Sequence, residues 1–274
     1  MTDHEKGFEQ SGISRRVCLS QGVAWLASGV FSQAAAQSGG SASVGFLNHY
    51  PPFSFRDKDG VLKGFDLDVM QRLCAIMGLS LVQVPDGMSN LSKQLASGQI
   101  DWIGNQLLAT PDNRKLFDFV RPAYANIQLT SVQHEDDNRD FLSLDDLVGK
   151  KLGVLAQTGV ENQARGALGK SVQSYARIEE ALKDLADKKL DAVIEENLIA
   201  EYYIERDALP VKVTAPFASP IPVGLPVRKG QTAVQAKLSE AVKTMLKDGS
   251  FKAISERWFG YDVSRSRVGH AMSR

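Results

Sequence analysis

From Ser43 onward, short apolar segments alternate with longer segments whose apolar residues recur at helical spacing. FDLDVMQRLCAIMGL is one of the longer segments, and its helical face consists of Leu67, Met70, Leu73, Cys74 and Met77. We expect Asp66 to cap this helix and Gly78 to end it. IDWIGNQLL is mostly apolar, as a buried parallel strand is. This alternation predicts an α/β fold with mainly parallel sheets.

Two segments of the chain resemble each other. LSKQLASGQIDWI and LKDLADKKLDAVI each read as a helix that leads through an aspartate into a buried strand. The repetition suggests two similar lobes.

Composition excludes several classes of protein. The 274 residues are 43% hydrophobic and carry no formal net charge, which is ordinary for a globular chain with room for two lobes. Without a basic excess there is no electrostatic case for nucleic acid. No stretch is typical of a transmembrane helix in the mature chain. The histidines are scattered without metal-ligand spacing, so we expect no metal site.

The first 36 residues are typical of an export signal. Arg15 and Arg16 precede a mildly apolar stretch, and Ala34–Ala36 supply the small residues of a signal peptidase site. The arginine pair resembles a twin-arginine signal, although an ordinary secretory signal remains the alternative. Cleavage would leave Cys74 alone, so no internal disulfide is expected.

A family resemblance rests on seven segments in order: YPPFSF, DGVLKGFDLDV, LASGQIDWI, ATPDNRKLFDF, LVGKKLGVLAQTG, KKLDAVIEE and PVRKG. Together they resemble the bacterial periplasmic amino-acid binding proteins of ABC importers, the family 3 extracellular solute-binding proteins. The resemblance implies a two-lobed type II periplasmic-binding-protein fold that closes on its ligand. Lobe 1 would comprise residues 43–130 plus 225–262, and lobe 2 residues 131–224. Two strand crossings would join them, and residues 263–274 would form a frayed polar tail.

Carried over residue by residue, the resemblance implies a set of ligand contacts. Tyr50 matches the aromatic ring that stacks on the ligand, whereas Phe53 is either a further contact or a core residue. Asn105, Gln106 and Leu108 match the end of a strand that binds the ligand, unless the two amides only satisfy the local backbone. Met88 lies where related dehydratases carry tryptophan, and it is also a candidate contact.

Further contacts are expected from the second lobe. Gln157, Thr158 and Gly159 match a loop that opens a helix, whose N–H groups can receive an anion. Glu196 matches the acidic residue that pairs with the ligand's ammonium group, and its neighbour Glu195 is a less certain candidate.

One stretch departs from the family pattern. The family reads Thr-Pro-Glu-Arg where this chain has Thr110, Pro111, Asp112 and Asn113, so that Arg114 lies one residue too late. Either the helix starts one residue later and Arg114 reaches the ligand, or the clamp for a carboxylate is missing. The second alternative favours a cationic or carboxylate-poor ligand.

The resemblance implies a receptor that delivers a small polar ligand to an ABC permease in the inner membrane. We expect a periplasmic monomer that uses no cofactor and performs no catalysis. The alternative is a cyclohexadienyl dehydratase-like enzyme, but Glu195 or Glu196 as its general acid lacks an evident second group. A sensor module is disfavoured because little sequence follows RWFGYD.

Overall fold

The computed structural model describes residues 39–265 except 140, 157 and 218–220. The predicted export signal, Gln157 and residues 266–274 of the predicted tail lie outside the described residues. No helix in the described part of the chain is long and apolar enough to cross a membrane.

Strands and helices alternate along the chain as the sequence predicts. The α-helices of the described residues are α1 (Phe65–Ile76), α2 (Met88–Ser97), α3 (Pro111–Leu116), α4 (Gly159–Leu168), α5 (Ile178–Ala186), α6 (Asn197–Asp207), α7 (Thr232–Lys247) and α8 (Ser250–Phe259). The strands are β1 (Ser41–Leu47), β2 (His49–Tyr50), β3 (Ser54–Arg56), β4 (Leu62–Lys63), β5 (Ser80–Asp86), β6 (Trp102–Ile103), β7 (Leu107–Leu108), β8 (Phe117–Phe119), β9 (Ala125–Ile127), β10 (Leu129–His134), β11 (Leu152–Leu155), β12 (Val172–Tyr175), β13 (Ala192–Glu196), β14 (Val211–Pro216), β15 (Ile221–Gly224) and β16 (Pro226–Arg228).

The first sheet has the strand order β5-β1-β6-β16-β8. β1 runs parallel to β5 and β6, whereas β16 is antiparallel to β6 and β8. Successive residues of a strand point to opposite faces, so Trp102 packs with Met70 and Phe46 while Ile103 packs with Leu91. The sheet is therefore covered by apolar side chains on both faces, as parallel sheets usually are.

The second sheet has the order β12-β11-β13-β10-β14 and takes all its strands from residues 129–216. β11 is parallel to β12 and β13, and β10 is antiparallel to β13 and β14. Val193 packs on α5 through Leu182, whereas Ile194 packs with Ala164 of α4. Helices thus cover both faces of this sheet too.

The chain crosses twice between the two sheets. Strand β9 leads into β10 of the second sheet, and β15 leads through Leu225 into β16 of the first. β7, β15 and β9 form a small sheet of their own at these crossings, and β2, β3 and β4 form another. The segment IPVGLPVRKG therefore contains two strands in different sheets.

The segment IDWIGNQLL is also interrupted, so the prediction of one continuous strand is wrong. β6 ends at Ile103, and β7 pairs with β15 in another sheet. At Gly104 a Cβ atom would lie 2.6 Å from the Phe46 ring, so a side chain has no room there. The residues after Gly104 leave the first sheet as a loop.

The N-cap of helix α1 is Gly64 rather than the predicted Asp66, and the first helical residue is Phe65. Gly64 is the N-cap and has φ = 141°, and a Cβ atom there would lie 2.1 Å from the carbonyl oxygen of Phe53. Only glycine fits such a position. The predicted cap, Asp66, instead lies in the first turn with its side chain fully buried.

The end of the described chain is packed on α8. Val263 is buried, and its backbone N–H donates a hydrogen bond to Ser255 Oγ at 2.9 Å. Val263 is therefore packed into the folded body.

Candidate functional site

Several polar side chains lie at or just after the ends of parallel strands of the two large sheets. Tyr50 follows β1, Gln106 follows β6, and Glu195 and Glu196 close β13. Burial raises the pKa of the Tyr50 phenol above its ordinary value, and the charges of Glu196, Glu195 and Asp66 add to the shift. The phenol is therefore within electrostatic range of carboxylates on β13 and on α1. We call Tyr50, Gln106, Gln128, Glu195 and Glu196 the candidate site.

Glu195 is a buried carboxyl group with one oxygen unused. Its side chain is only 2% exposed, and Oε1 accepts a hydrogen bond from the Glu196 backbone N–H at 2.8 Å. Oε2 has no hydrogen-bond partner among the described residues. Burial, and then the charge of Glu196, raises the pKa of Glu195 to about 8. The site therefore holds a carboxyl group that is poorly stabilised in its charged form.

Glu196 also lies in a poorly solvated environment. It is half-buried, and burial raises its pKa to about 7. No described lysine or arginine offsets this shift for either glutamate. Carboxylates without a cation favour a ligand that brings one.

Asp66 is a third buried carboxyl group, but it is satisfied by the protein. Oδ2 accepts hydrogen bonds from Asn105 Nδ2 at 2.9 Å and from the Gln106 N–H at 3.3 Å, and Oδ1 accepts one from the Tyr124 hydroxyl at 3.3 Å. Burial nevertheless raises its pKa to about 7. Sequence reasoning missed this role. The available signal was the spacing, because Asp66 lies three, four and seven residues before the buried Val69, Met70 and Leu73 and therefore shares their helical face.

Asn105 is structural rather than a ligand contact through its side chain. Its amide is fully buried, and Oδ1 accepts a hydrogen bond from the Leu47 N–H at 2.6 Å. Nδ2 donates to Ser54 Oγ at 2.8 Å and to Asp66 Oδ2. Of the two readings of Asn105, local satisfaction is the one that the structure supports.

Gln106 is in the opposite situation. The residue is 8% exposed, its backbone N–H is bound to Asp66, and neither Nε2 nor Oε1 has a hydrogen-bond partner in the described chain. Buried amides are almost always hydrogen-bonded in native proteins. The side chain of Gln106 is therefore a prepared donor and acceptor for a ligand.

Gln128 is a functional candidate that sequence reasoning missed. It lies in the first crossing, 8% exposed, and its backbone N–H and carbonyl are bound to Asn197, the residue after Glu196. Its side-chain Nε2 is buried without a partner among the described residues. The only signal in the sequence was a polar residue at the crossing that leads from one sheet to the other.

The two predicted aromatic contacts differ in position. Tyr50 is half-buried, and its ring centroid lies 5.0 Å from that of Phe53. Phe53 is 0% exposed and packs against Phe65 and Phe259. The structure therefore assigns Phe53 to the core, since its ring is enclosed by other rings, and leaves Tyr50 at the candidate site.

Whether Arg114 can take the place of the family's arginine depends on the residue at which helix α3 begins. Thr110 caps the helix, accepting a hydrogen bond from the Asn113 N–H at 3.2 Å, and Pro111 is the first helical residue. The alternative in which the helix starts one residue later is therefore wrong. Asn113 is half-buried, and its Nδ2 donates to the Leu108 carbonyl at 2.8 Å.

Arg114 is exposed and turned back onto its own segment. Its Nε donates to the Ala109 carbonyl at 2.8 Å, and its guanidinium lies 5.6 Å from the centroid of the Phe119 ring. The Arg114 guanidinium is therefore engaged by its own segment, and the side chain in the slot of the usual arginine is the neutral amide of Asn113.

Leu108 and Met88 pack against apolar clusters of the core. Leu108 pairs with Val223 between β7 and β15, and it packs at the edge of the large apolar core. Met88 opens α2 and packs beside Leu91. Both are half-buried.

The loop before α4 has its cap in place. Thr158 Oγ1 accepts a hydrogen bond from the Glu161 N–H at 3.1 Å and donates one to the Leu155 carbonyl at 2.8 Å. Gly159, the first helical residue, is exposed. The predicted contact Gln157 lies outside the described residues.

Comparison with known proteins gives a family. A sequence model of the bacterial extracellular solute-binding proteins, family 3, matches residues 42–261. The L-cystine-binding protein TcyJ of Escherichia coli strain K12 is 30% identical over 227 residues, which cover 82% of this chain and 85% of the relative.

Solved structures agree with that result. The L-cystine solute receptor of Neisseria gonorrhoeae, unliganded and open, superposes with a TM-score of 0.71 at 26% identity, over 84% of this chain and 97% of the receptor. An ancestral cationic amino acid solute-binding protein, AncCDT-1, gives a TM-score of 0.73 at 28% identity, over 82% and 97%. AncCDT-1 is also described as a precursor of cyclohexadienyl dehydratase.

Proposed function

The chain belongs to the bacterial extracellular solute-binding proteins of family 3, and we propose that it captures an amino acid or related amine for an ABC transporter. The observation that carries this function is the group of buried polar atoms without partners on Gln106, Gln128 and Glu195. A folded protein rarely leaves such atoms unpaired, so a small polar ligand is the natural partner.

The two sheets support a division into two lobes. We propose that residues 43–130 plus 225–262 form lobe 1 and residues 131–224 form lobe 2, with the ligand held between them. The second sheet begins at Leu129, close to the first boundary, and β16 returns to the first sheet just after the second. Closure of the lobes would bury the ligand as the hinge strands bend.

Within the cleft we propose distinct roles for four residues. Glu196 receives an ammonium group, Tyr50 stacks on the ligand, and Gln106 supplies an amide. The exposed N-terminus of α4 at Gly159 is suited to an anionic group.

The setting of the protein follows from the family. We propose export by the N-terminal signal, action in the periplasm as a monomer, and delivery of the ligand to a permease in the inner membrane. Relatives are named for cystine and arginine, so these two amino acids lead the list of ligands to test.

Isothermal titration of the exported protein with amino acids and amines tests this function. We expect binding of at least one of them at micromolar concentration or below. The substitution Glu196→Gln is expected to weaken it at least about tenfold, because a charge-assisted hydrogen bond is lost. Glu205→Gln, on the exposed side of α6, is the matched control and should bind like the wild type.

Two results would contradict the proposal. One is the absence of binding across the whole panel by a folded protein. The other is turnover of prephenate to phenylpyruvate, which would indicate the dehydratase chemistry instead.

A further inference from the structure

Building on the proposed function, we propose that the cleft takes a ligand with two cationic nitrogen centres, and that Glu195 receives the second one. A basic amino acid, a diamine and cystine all satisfy this description. Glu196 alone accounts for one ammonium group, which leaves the Glu195 carboxylate for a second cationic group.

The Glu195 carboxylate has one oxygen that is hydrogen-bonded and one that is not. Oε1 is occupied by the backbone N–H of Glu196, whereas Oε2 is buried and has no partner among the described residues. A carboxylate accepts several hydrogen bonds, and a buried one is tolerated when cations or donors supply them. In the described chain no lysine or arginine forms an ion pair with it.

Glu195 and Glu196 serve different parts of a ligand. Consecutive residues of a strand point to opposite faces, so their carboxylates leave β13 in different directions. Both charges nevertheless act on the phenol of Tyr50. Two acceptors that diverge around one ring match two separate cationic groups better than a single ammonium.

The surroundings of Glu195 and Glu196 add negative charge rather than positive charge. Asp66 is a further buried carboxyl group within range of Tyr50. Arg114 lies outside, on Phe119, and Asn113 is bound to Leu108. Among the described residues, no lysine or arginine contributes to the electrostatics of Tyr50, Glu195 or Glu196, and burial raises the pKa of each glutamate. A ligand with positive charge removes that penalty.

The unpaired amides complete the arrangement. Nε2 of Gln128 and both polar atoms of Gln106 have no partners in the described residues. Neutral amides can bind the carboxylate of an amino acid without offsetting the acidic groups. They therefore replace the absent guanidinium while keeping the site selective for cations.

Matched ligand pairs test the proposal by isothermal titration. Arginine against citrulline, lysine against norleucine, and putrescine against butylamine differ mainly in one cationic centre. We expect the ligand with two centres to bind at least about tenfold more tightly in at least one pair, because a charge-assisted contact is lost in its isostere. Cystine is measured beside them.

The variant Glu195→Gln should weaken binding of the two-centre ligand at least about tenfold and so abolish the difference within the pair. Glu205→Gln, exposed on α6, is the control and should keep it. Should Glu195→Gln fail to fold, judged by circular dichroism, Glu195→Asp, which keeps the charge on a shorter side chain, should reduce the difference, and an undiminished difference would contradict the role of Glu195.

Failure of this inference differs from failure of the proposed function. If a neutral amino acid such as glutamine binds and no pair shows a preference, or if the preference survives in Glu195→Gln, the role of Glu195 is wrong while the receptor function stands. If the folded protein binds nothing in the panel, both fall together.

Discussion

At the scale of single residues, the unusual feature is three carboxyl groups, two of them buried and one half-buried, with raised pKa values. Glu195, Glu196 and Asp66 reach pKa values of about 8, 7 and 7, mainly through burial. Only Asp66 is surrounded by donors, which are Asn105, the Gln106 backbone and Tyr124. The unliganded protein therefore holds acidic groups that cost stability once they are ionised.

The sign of the resulting pH dependence follows from linkage. A carboxyl group with a higher pKa in the folded state than in the unfolded state keeps its proton longer when folded. As pH rises from about 4 to about 8, the unfolded state is increasingly favoured by these three groups. We expect the melting temperature of the unliganded protein to fall between pH 5 and pH 8, measured by differential scanning calorimetry.

Two variants separate the contribution of Glu195 from the pH dependence that the other titratable groups cause. Glu195→Gln should make the fall shallower by at least about 2 °C, whereas Glu205→Gln should not. An identical slope for wild type and Glu195→Gln would show that Glu195 keeps an ordinary pKa.

A second prediction at this scale concerns Arg114. Because its guanidinium is exposed and lies on Phe119, Arg114→Ala should change ligand affinity less than about twofold. Asn113→Ala should instead lower the free energy of unfolding by about 1 kcal/mol, since the bond to the Leu108 carbonyl is lost. A tenfold loss of affinity in Arg114→Ala would show that the arginine does reach the ligand.

At the scale of elements, Asn105 ties three of them together. Its amide joins the end of β1 through Leu47, β3 through Ser54, and α1 through Asp66. These elements carry or adjoin Tyr50 and Gln106, so Asn105 holds in place the part of the candidate site that contains these two residues.

Replacement of this amide should be costly. Asn105→Ala leaves the Leu47 N–H and the Asp66 carboxyl group short of partners in the core, and we expect a loss of about 2–4 kcal/mol in urea unfolding. Asn90→Ala is the control: its amide is exposed and donates to Asp86, so less than about 1 kcal/mol should be lost. Equal losses in the two variants would contradict the structural role of Asn105.

At the scale of the whole molecule, helix α6 links the second sheet to β3 and to the segment after α8. The Tyr202 ring lies 6.4 Å from the Phe55 ring of β3, and the Tyr261 hydroxyl donates to Glu201 Oε2 at 2.9 Å. α6 begins immediately after Glu196, so these contacts involve the helix that follows the candidate site. They favour the arrangement in which α6 lies close to β3 and the end of α8.

Removing one of these rings should favour separation. An aromatic pair contributes about 0.5–1.5 kcal/mol, so Tyr202→Ala is expected to weaken ligand binding about two- to tenfold. Small-angle scattering should show a larger radius of gyration for the unliganded variant, and an unchanged one at saturating ligand. Leu142→Ala, an exposed apolar residue of the second lobe, is the control. No change in either quantity would show that the contact does not favour closure.

The sequence by itself determined the alternation of strands and helices, because apolar periodicity records which face of each element is buried. It also placed Glu196 at a strand end and showed an asparagine in the slot of the usual arginine. It could not show that Asn105 is used up by Leu47, Ser54 and Asp66, or that Gln106 is left unpaired, since neighbouring amides look alike in a sequence.

Only the tertiary structure decided which polar atoms are satisfied. Asp66 looked like a cap, but the positive φ of Gly64 starts the helix earlier and turns the carboxyl group into the core. For Gln128 the only signal was a polar residue at the crossing. Such outcomes depend on contacts between residues 39 to 69 positions apart, which local propensity does not encode, whereas the fold follows from patterns within single segments.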